Sequence, residues 1–180
     1  MKCGARFALV KKRPHRTHPG LPALAREPPR VEVVIEIPRW SFLKRGSAGS
    51  IDFVSPLPCP FNYGSVPGLL GGEGDLLDAV VLGRRLAIGT RVETSAYRAI
   101  GLSERFMRDD KLICSDRPLN AAQQWFVLAF FRFYALCKGL LNRYRGRPGA
   151  SRCEGWGDAT LAVGRCAPAG DDWRGPPVPY

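Results

Sequence analysis

The stretch GGEGDLLDAVVLG sets Glu73, Asp75 and Asp78 two and three residues apart in a glycine-bearing turn, just ahead of an apolar run. That spacing lets several carboxylate oxygens converge on one point, and oxygen-only donor sets favour hard cations such as magnesium or manganese. Taken alone, an acidic turn also reads as a solvated loop, and the pattern is not that of a calcium-binding helix–loop–helix hand. A second concentration, SERFMRDDK, places Glu104, Asp109, Asp110 and Lys111 at what reads as a turn between two strands, and Glu36 on an apolar strand is a third candidate. Carboxylates that hold cations beside Lys, Arg and Tyr suit a small polyphosphate. The cations neutralise its oxygens, and a metal-activated water attacks.

Histidine narrows the chemistry further. The only two, His15 and His18, lie within the first thirty residues. The remainder therefore offers no imidazole for Ser-His-Asp or Cys-His catalysis, or for His-ligated zinc. Carboxylates, lysines, arginines and tyrosines must carry any reaction. The six cysteines form no C-x-x-C pair, which points to buried free thiols in a reducing cytoplasm. The longest apolar run, WFVLAFFRFYALCKGLL, is interrupted by Arg132 and Lys138 and falls short of a bilayer span. The expectation is a soluble, cytoplasmic protein that engages no membrane.

These side chains need elements to position them. A chain of 180 residues, 45% of them hydrophobic, can bury one core, which favours a single domain. Residues 1–30 hold eight Lys/Arg against Glu27 alone and so carry +7 of the net +11; rich in proline and like charge, they read as a solvated basic arm. From residue 31, VEVVIEIP alternates as a strand does and stops at Pro38, placing Glu36 near its end. SIDFVSP reads as a second short strand, PLPCPFNYGSVPG as a loop punctuated by Pro and Gly, and AVVLG, TRVETSAYRAIGL and DDKLICS as further strands. Short strands separated by turns suggest a small closed barrel or sandwich. Phe126, Phe130, Phe133, Cys137 and Leu140 then recur at helical spacing and predict one long helix ending at GRPG, with most of its aromatics in the core. An interfacial membrane helix is the weaker use of this segment, because its flanks lack a clean basic stripe. The domain is expected over residues 31–160, and residues 161–180 as a Gly- and Pro-rich disordered tail.

In this order and approximate spacing, VVIEIP, PCPFNYGSVPG, EGDLLDAVVLG, DDKL, FFRFY and CEGW resemble the soluble, magnesium-dependent inorganic pyrophosphatases over residues 31–158. The most specific part is the Asn-Tyr-Gly loop followed by the acidic signature, which is similar to the family's D-G-D-P-x-D. The resemblance implies a mainly β (α+β) fold, a five-stranded OB-like barrel with flanking helices, in a homo-oligomer. It also implies hydrolysis of pyrophosphate to two phosphates by a water that Mg2+, or alternatively Mn2+, activates. Position by position, Glu73, Asp78 and Asp109 match the principal metal-binding acids, and Glu104 and Glu36 match further acids of the cavity. Asp75 matches the acid that takes the proton from the attacking water. Lys44, Lys111, Tyr63 and Tyr134 match groups facing phosphate oxygens.

The departures fall within that site. Glu73 and Glu104 stand where the family has Asp, Leu76 where it has Pro, and Cys59 where it has a first tyrosine. Ala135 follows Tyr134 where a lysine is usual, with Lys138 one helical turn on, and SIDFVS lacks a phosphate-binding arginine. Fewer cations weaken the charge stabilisation that dominates phosphoryl transfer, so a reduced activity belongs to the expectation. The alternative is a catalytically impaired protein of the same fold that binds anions or nucleic acid through the basic arm and the barrel face.

Overall fold

The computed structural model describes residues 27–45, 51–104, 107–144, 146 and 151–170. The basic arm expected over residues 1–30 therefore lies almost wholly outside the described residues. Along the chain run β1 (Arg30–Ile37), β2 (Ser41–Arg45), β3 (Ile51–Cys59), β4 (Asn62–Leu70), β5 (Leu76–Val81), β6 (Arg91–Glu104) and β7 (Met107–Ser115). The helix α1 (Ala121–Tyr144), β8 (Ser151–Gly157), α2 (Ala159–Gly164) and the short β9 (Ala167–Pro168) come after them. The order β1-β4-β5-β7-β6 closes on itself through a β1–β6 pairing, giving a five-stranded OB-like barrel. Strand β8 extends the sheet from β6 and β9 from β4, while β2 and β3 pair separately. Among the described strands only β5 and β7 run parallel; every other pair is antiparallel.

Alternation along the strands builds two cores. Val33 and Ile35 of β1, Leu77, Ala79 and Val81 of β5, and Leu112 and Cys114 of β7 gather on one face, joined by Ala159 and Ala162 of α2. The intervening residues Val80, Ile100 and Ile113, together with Tyr63 and Phe61, meet Val127 and Phe131 of α1 on the other. Because side chains alternate with period two, Asp78 shares the α1 face with Val80, and Asp109 and Lys111 share it with Ile113. Asp78, Asp109 and Lys111 are thus held on strands whose opposite faces pack Leu77, Ala79, Leu112 and Cys114 into the core.

Several sequence expectations change here. PLPCPFNYGSVPG is not a loop: it ends β3 and forms most of β4, with only Pro60 and Phe61 between them. Gly64 shows why, since a Cβ there would lie 1.9 Å from the Val34 carbonyl oxygen; the glycine serves close strand approach rather than a turn. The run Asp109–Lys111 sits within β7, as the strand reading of DDKLICS has it, and not at the turn expected for the SERFMRDDK cluster. The tail boundary at residue 161 falls inside α2, and the chain stays regular through β9; residues 171–180 lie outside the described residues.

The helix α1 exists where expected, but its buried stripe is Val127, Phe131, Ala135 and Asn142. Phe126, Phe133 and Leu140 are 44%, 48% and 57% exposed, which corrects their placement in the core. Phe130 of the expected stripe does pack, edge-on to Phe61 at 5.4 Å. A helix apolar around most of its circumference leaves the phase of its periodicity undetermined, and contact with the barrel sets it. Its start is fixed by a reciprocal cap: Gln123 N–H donates to Asn120 Oδ1 at 2.9 Å and Asn120 N–H donates to Gln123 Oε1 at 3.0 Å. Among the described residues the cysteines are unbridged, and only Cys114 is fully buried; the other four are partly exposed, short of the burial expected for them.

Candidate active site

Cross-strand register assembles the site. Ser65, Asp78 and Lys111 face one another across β4, β5 and β7, and Ile100 and Trp156 continue the row onto β6 and β8. Asp109 lies two residues before Lys111 and therefore on the same face. Glu73 arrives from the tight β4–β5 loop, which is closed by Gly71 N–H donating to Asp75 O at 2.8 Å and turned by Gly74 at φ 83°. A left-handed residue there favours glycine. Together these constraints bring one oxygen each of Glu73, Asp78 and Asp109 within 4.8 Å of one another.

Lys111 is buried among these acids. Its ammonium donates to Asp109 Oδ1 at 2.5 Å and to Asp78 Oδ2. The Tyr63 hydroxyl donates to Asp78 Oδ2 at 2.5 Å, and the Tyr63 ring lies 5.8 Å from the Lys111 ammonium. Burial pulls Lys111 toward deprotonation, but the charges of Asp109 and Asp78 outweigh it and hold the ammonium well above the ordinary lysine value. Burial pushes Tyr63 well above its ordinary value, and the charge of Asp78 adds to this. For Glu73, burial prevails over the opposing charge of Lys111 and raises the carboxyl to about 8, with Asp109 and Asp78 contributing. One ammonium therefore stands among three converging acids.

That imbalance, with an all-oxygen donor set, is what a hard divalent cation relieves. Glu73, Asp78 and Asp109 fit such an ion by chemistry and by convergence. The site extends to Glu36 at the β1 bulge, whose Oε1 accepts from the Ser65 hydroxyl at 2.6 Å. On α1, Tyr134 is near enough to add to the upward shift of Tyr63, and the Lys138 ammonium lies 5.7 Å from the Tyr134 ring. Asp75 closes the acidic loop outside the convergent trio, and its Oδ1 accepts from Leu76 N–H at 2.8 Å. Lys44 sits on β2 opposite Phe53 and Glu104 at the end of β6 opposite Met107; their side chains lie outside the described residues.

Asp110 is not part of the acid cluster. It alternates to the opposite face of β7 and accepts from Arg108 and Arg165. The sequence reading assigns no role to Ser65 or Asn62, although Asn62 takes part in the site's frame. Its Oδ1 accepts from Arg39 N–H at 3.1 Å and Leu86 N–H at 2.9 Å, and its Nδ2 donates to Arg84 O at 2.8 Å. A polar residue inside the Asn-Tyr-Gly motif was the available signal. The tryptophan of the EGW segment also has a place, with the Arg98 guanidinium 4.8 Å from its ring.

The family model described as inorganic pyrophosphatase matches residues 33–126, just over half of the chain. The chain belongs to the inorganic pyrophosphatase family. An inorganic pyrophosphatase of Haemophilus influenzae is 28% identical, with 73% of this chain and 82% of that protein covered. One of Aeropyrum pernix is 31% identical over 48% of this chain and 53% of its own length. Among solved structures, the inorganic pyrophosphatase of Thermus thermophilus superposes with TM-score 0.62 at 25% identity, covering 81% of this chain and 91% of that one. The Helicobacter pylori enzyme gives 0.60 at 24% identity and supports the fold. In this member of the pyrophosphatase family, the longer side chain of Glu73 still brings an oxygen into the convergent trio.

Proposed function

We propose that this protein hydrolyses inorganic pyrophosphate to two phosphates in the cytoplasm, using magnesium with manganese as a substitute. The observation that carries the reading is the convergence of Glu73, Asp78 and Asp109 within 4.8 Å, with Lys111 and Tyr63 in direct contact. Family membership and the matched relatives, which are named inorganic pyrophosphatases, favour this over nucleic-acid binding.

Glu73, Asp78 and Asp109 would hold the cation, with Glu36, Asp75 and Glu104 as further acids of the cavity. When bound, the cation supplies positive charge against the phosphate oxygens and makes water more acidic. Asp75, which lies just before β5 and outside the trio, would accept the proton of the attacking water. Lys111, Tyr63 and Tyr134 would face the phosphate oxygens and orient the substrate, and Lys44 is proposed for the same role. Lys138 stands beside Tyr134 and supplies a cation where Ala135 has none. The exposed apolar arc of α1 supports a homo-oligomer, since Phe133, Leu136 and Leu140 would be covered by assembly. By length and composition α1 could cross a bilayer, but its Val127–Phe131 stripe is committed to the barrel.

The test is phosphate release from pyrophosphate with magnesium, beside an Asp75→Ala, Asp78→Ala double variant purified identically. Magnesium-dependent release that the variant abolishes is expected. Equal release from the two proteins overturns the proposal.

A further inference from the structure

Asp110 lies back to back with the metal-binding face of β7, and its partners do not belong to the site. Its side chain, 9% exposed, accepts at Oδ2 from the Arg165 guanidinium, at 2.6 Å from Nη2 and 3.0 Å from Nε. Arg108 Nε adds contacts of 3.1 and 3.2 Å from the same strand. Gly101 pairs with Asp110 across β6 and β7, and a Cβ there would make ordinary contact, at 3.6 Å, with both Asp110 Oδ1 and the Arg108 guanidinium. Arg165 is the residue that ends α2, two positions before β9.

The residues after Arg165 reach the acidic loop. Ala167 and Pro168 pair with Leu70 and Leu69 at the end of β4, and Ala169 N–H donates to Gly68 O at 2.9 Å. Leu70 pairs in turn with Leu76 across the loop that carries Glu73. On its other side the loop rests on β7, since a Cβ at Gly72 would lie 2.9 Å from the Arg108 carbonyl oxygen. The segment 165–169 is therefore a strap: one end is ionically fixed to β7 next to Asp109, and the other is hydrogen-bonded to the base of the Glu73 loop.

We propose that the Arg165–Asp110 pair is a positioning latch that holds the Glu73 loop against β7, at the spacing Glu73 and Asp109 need to share one divalent cation. The inference rests on the proposed metal-dependent function. Arg165 touches neither substrate nor cation. It acts through β9 and the loop, as partners beyond the direct ligands commonly do.

The test uses the full chain with Arg165→Gln, Arg165→Lys and Arg108→Gln. Manganese binding is measured by calorimetry, amide hydrogen exchange is followed over residues 68–76 in metal-free protein, and pyrophosphate hydrolysis is assayed. Arg165→Gln should weaken manganese binding by about tenfold or more and speed exchange in the loop, and Arg165→Lys should restore part of both. Arg108→Gln removes a cation from the same carboxylate without cutting the strap, and should leave affinity within about twofold. Unchanged loop exchange in Arg165→Gln overturns the latch whether or not the wild type binds manganese. A wild type that hydrolyses no pyrophosphate, but whose loop loosens in Arg165→Gln, removes the functional reading and leaves the latch standing. Should Arg165→Gln fail to fold, Arg165→Lys decides: a lengthened, single-point contact must still speed loop exchange, and native exchange there overturns the proposal.

Discussion

Under the proposed function, Lys111 is the counter-ion of a site that receives a second cation, and replacing it with methionine tests that arrangement. The side chain is buried and paired with Asp109 at 2.5 Å and with Asp78. Methionine keeps its length and apolar stem but leaves two carboxylates facing each other and Glu73. Breaking a buried ion pair by removing one partner costs about 3–5 kcal/mol. For a chain of this size, roughly 2–4 °C are lost per kcal/mol, so Tm in EDTA should fall by about 6–20 °C. Magnesium changes the outcome, because the variant's carboxylates then have a cation and no ammonium to displace. At a hundred times its Kd, a ligand adds about 2.7 kcal/mol, and the tighter binding expected of the variant should close most of the gap. The assay is thermal and urea unfolding of both proteins with EDTA and with saturating magnesium. A deficit of equal size in the two conditions would refute the reasoning, since Lys111 would then matter for packing and not as the stand-in for a metal.

Glu73 gives the pH dependence. Its folded value of about 8 lies above the ordinary carboxylate value of 4.5, so its contribution to stability is complete below about 4.5 and is lost as pH rises through about 8. Metal-free protein should lose up to about 1.4 kcal/mol per pH unit across that window; a flat urea midpoint between pH 5 and 8 would contradict the burial of this acid. The phase of α1 predicts unequal truncations: Phe131→Ala should cost about 3–5 kcal/mol, whereas Phe133→Ala should change protomer stability by about 0.5 kcal/mol or less and weaken self-association in sedimentation. Cys114, buried and raised to about 12, should resist a thiol reagent at pH 8 until the protein unfolds, while the partly exposed Cys59, Cys137, Cys153 and Cys166 react first.

Much of the barrel was legible because alternation and turn chemistry are local. β1, β5, β6 and β7 follow from runs such as VEVVIEIP and DDKLICS, and α1 follows from the helical recurrence of Phe126 to Leu140. Legibility failed where a residue's role is non-local. The prolines and glycines of PLPCPFNYGSVPG read as loop punctuation, yet Gly64 is required by the Val34 carbonyl oxygen of another strand. Arg165 and Asp110 are 55 residues apart in sequence, and no periodicity joins them. Asp109 and Asp110 are neighbours of one type, and only strand pleating sends the first to Lys111 and the second to Arg165.

The sequence by itself determined the donor chemistry: an acid-rich set with Lys and Tyr and no imidazole after residue 18, which suits hard cations and phosphate. Tertiary structure decided which acids act together. Of the acids singled out by spacing, Glu73, Asp78 and Asp109 converge because β5 and β7 lie side by side in parallel and the β4–β5 loop folds over them. Asp75 and Asp110, closer in sequence to those acids than the acids are to one another, fall outside the trio. Carboxylates share a cation only when they converge over a few ångströms, and that proximity is set by cross-strand register and sheet face rather than by distance along the chain.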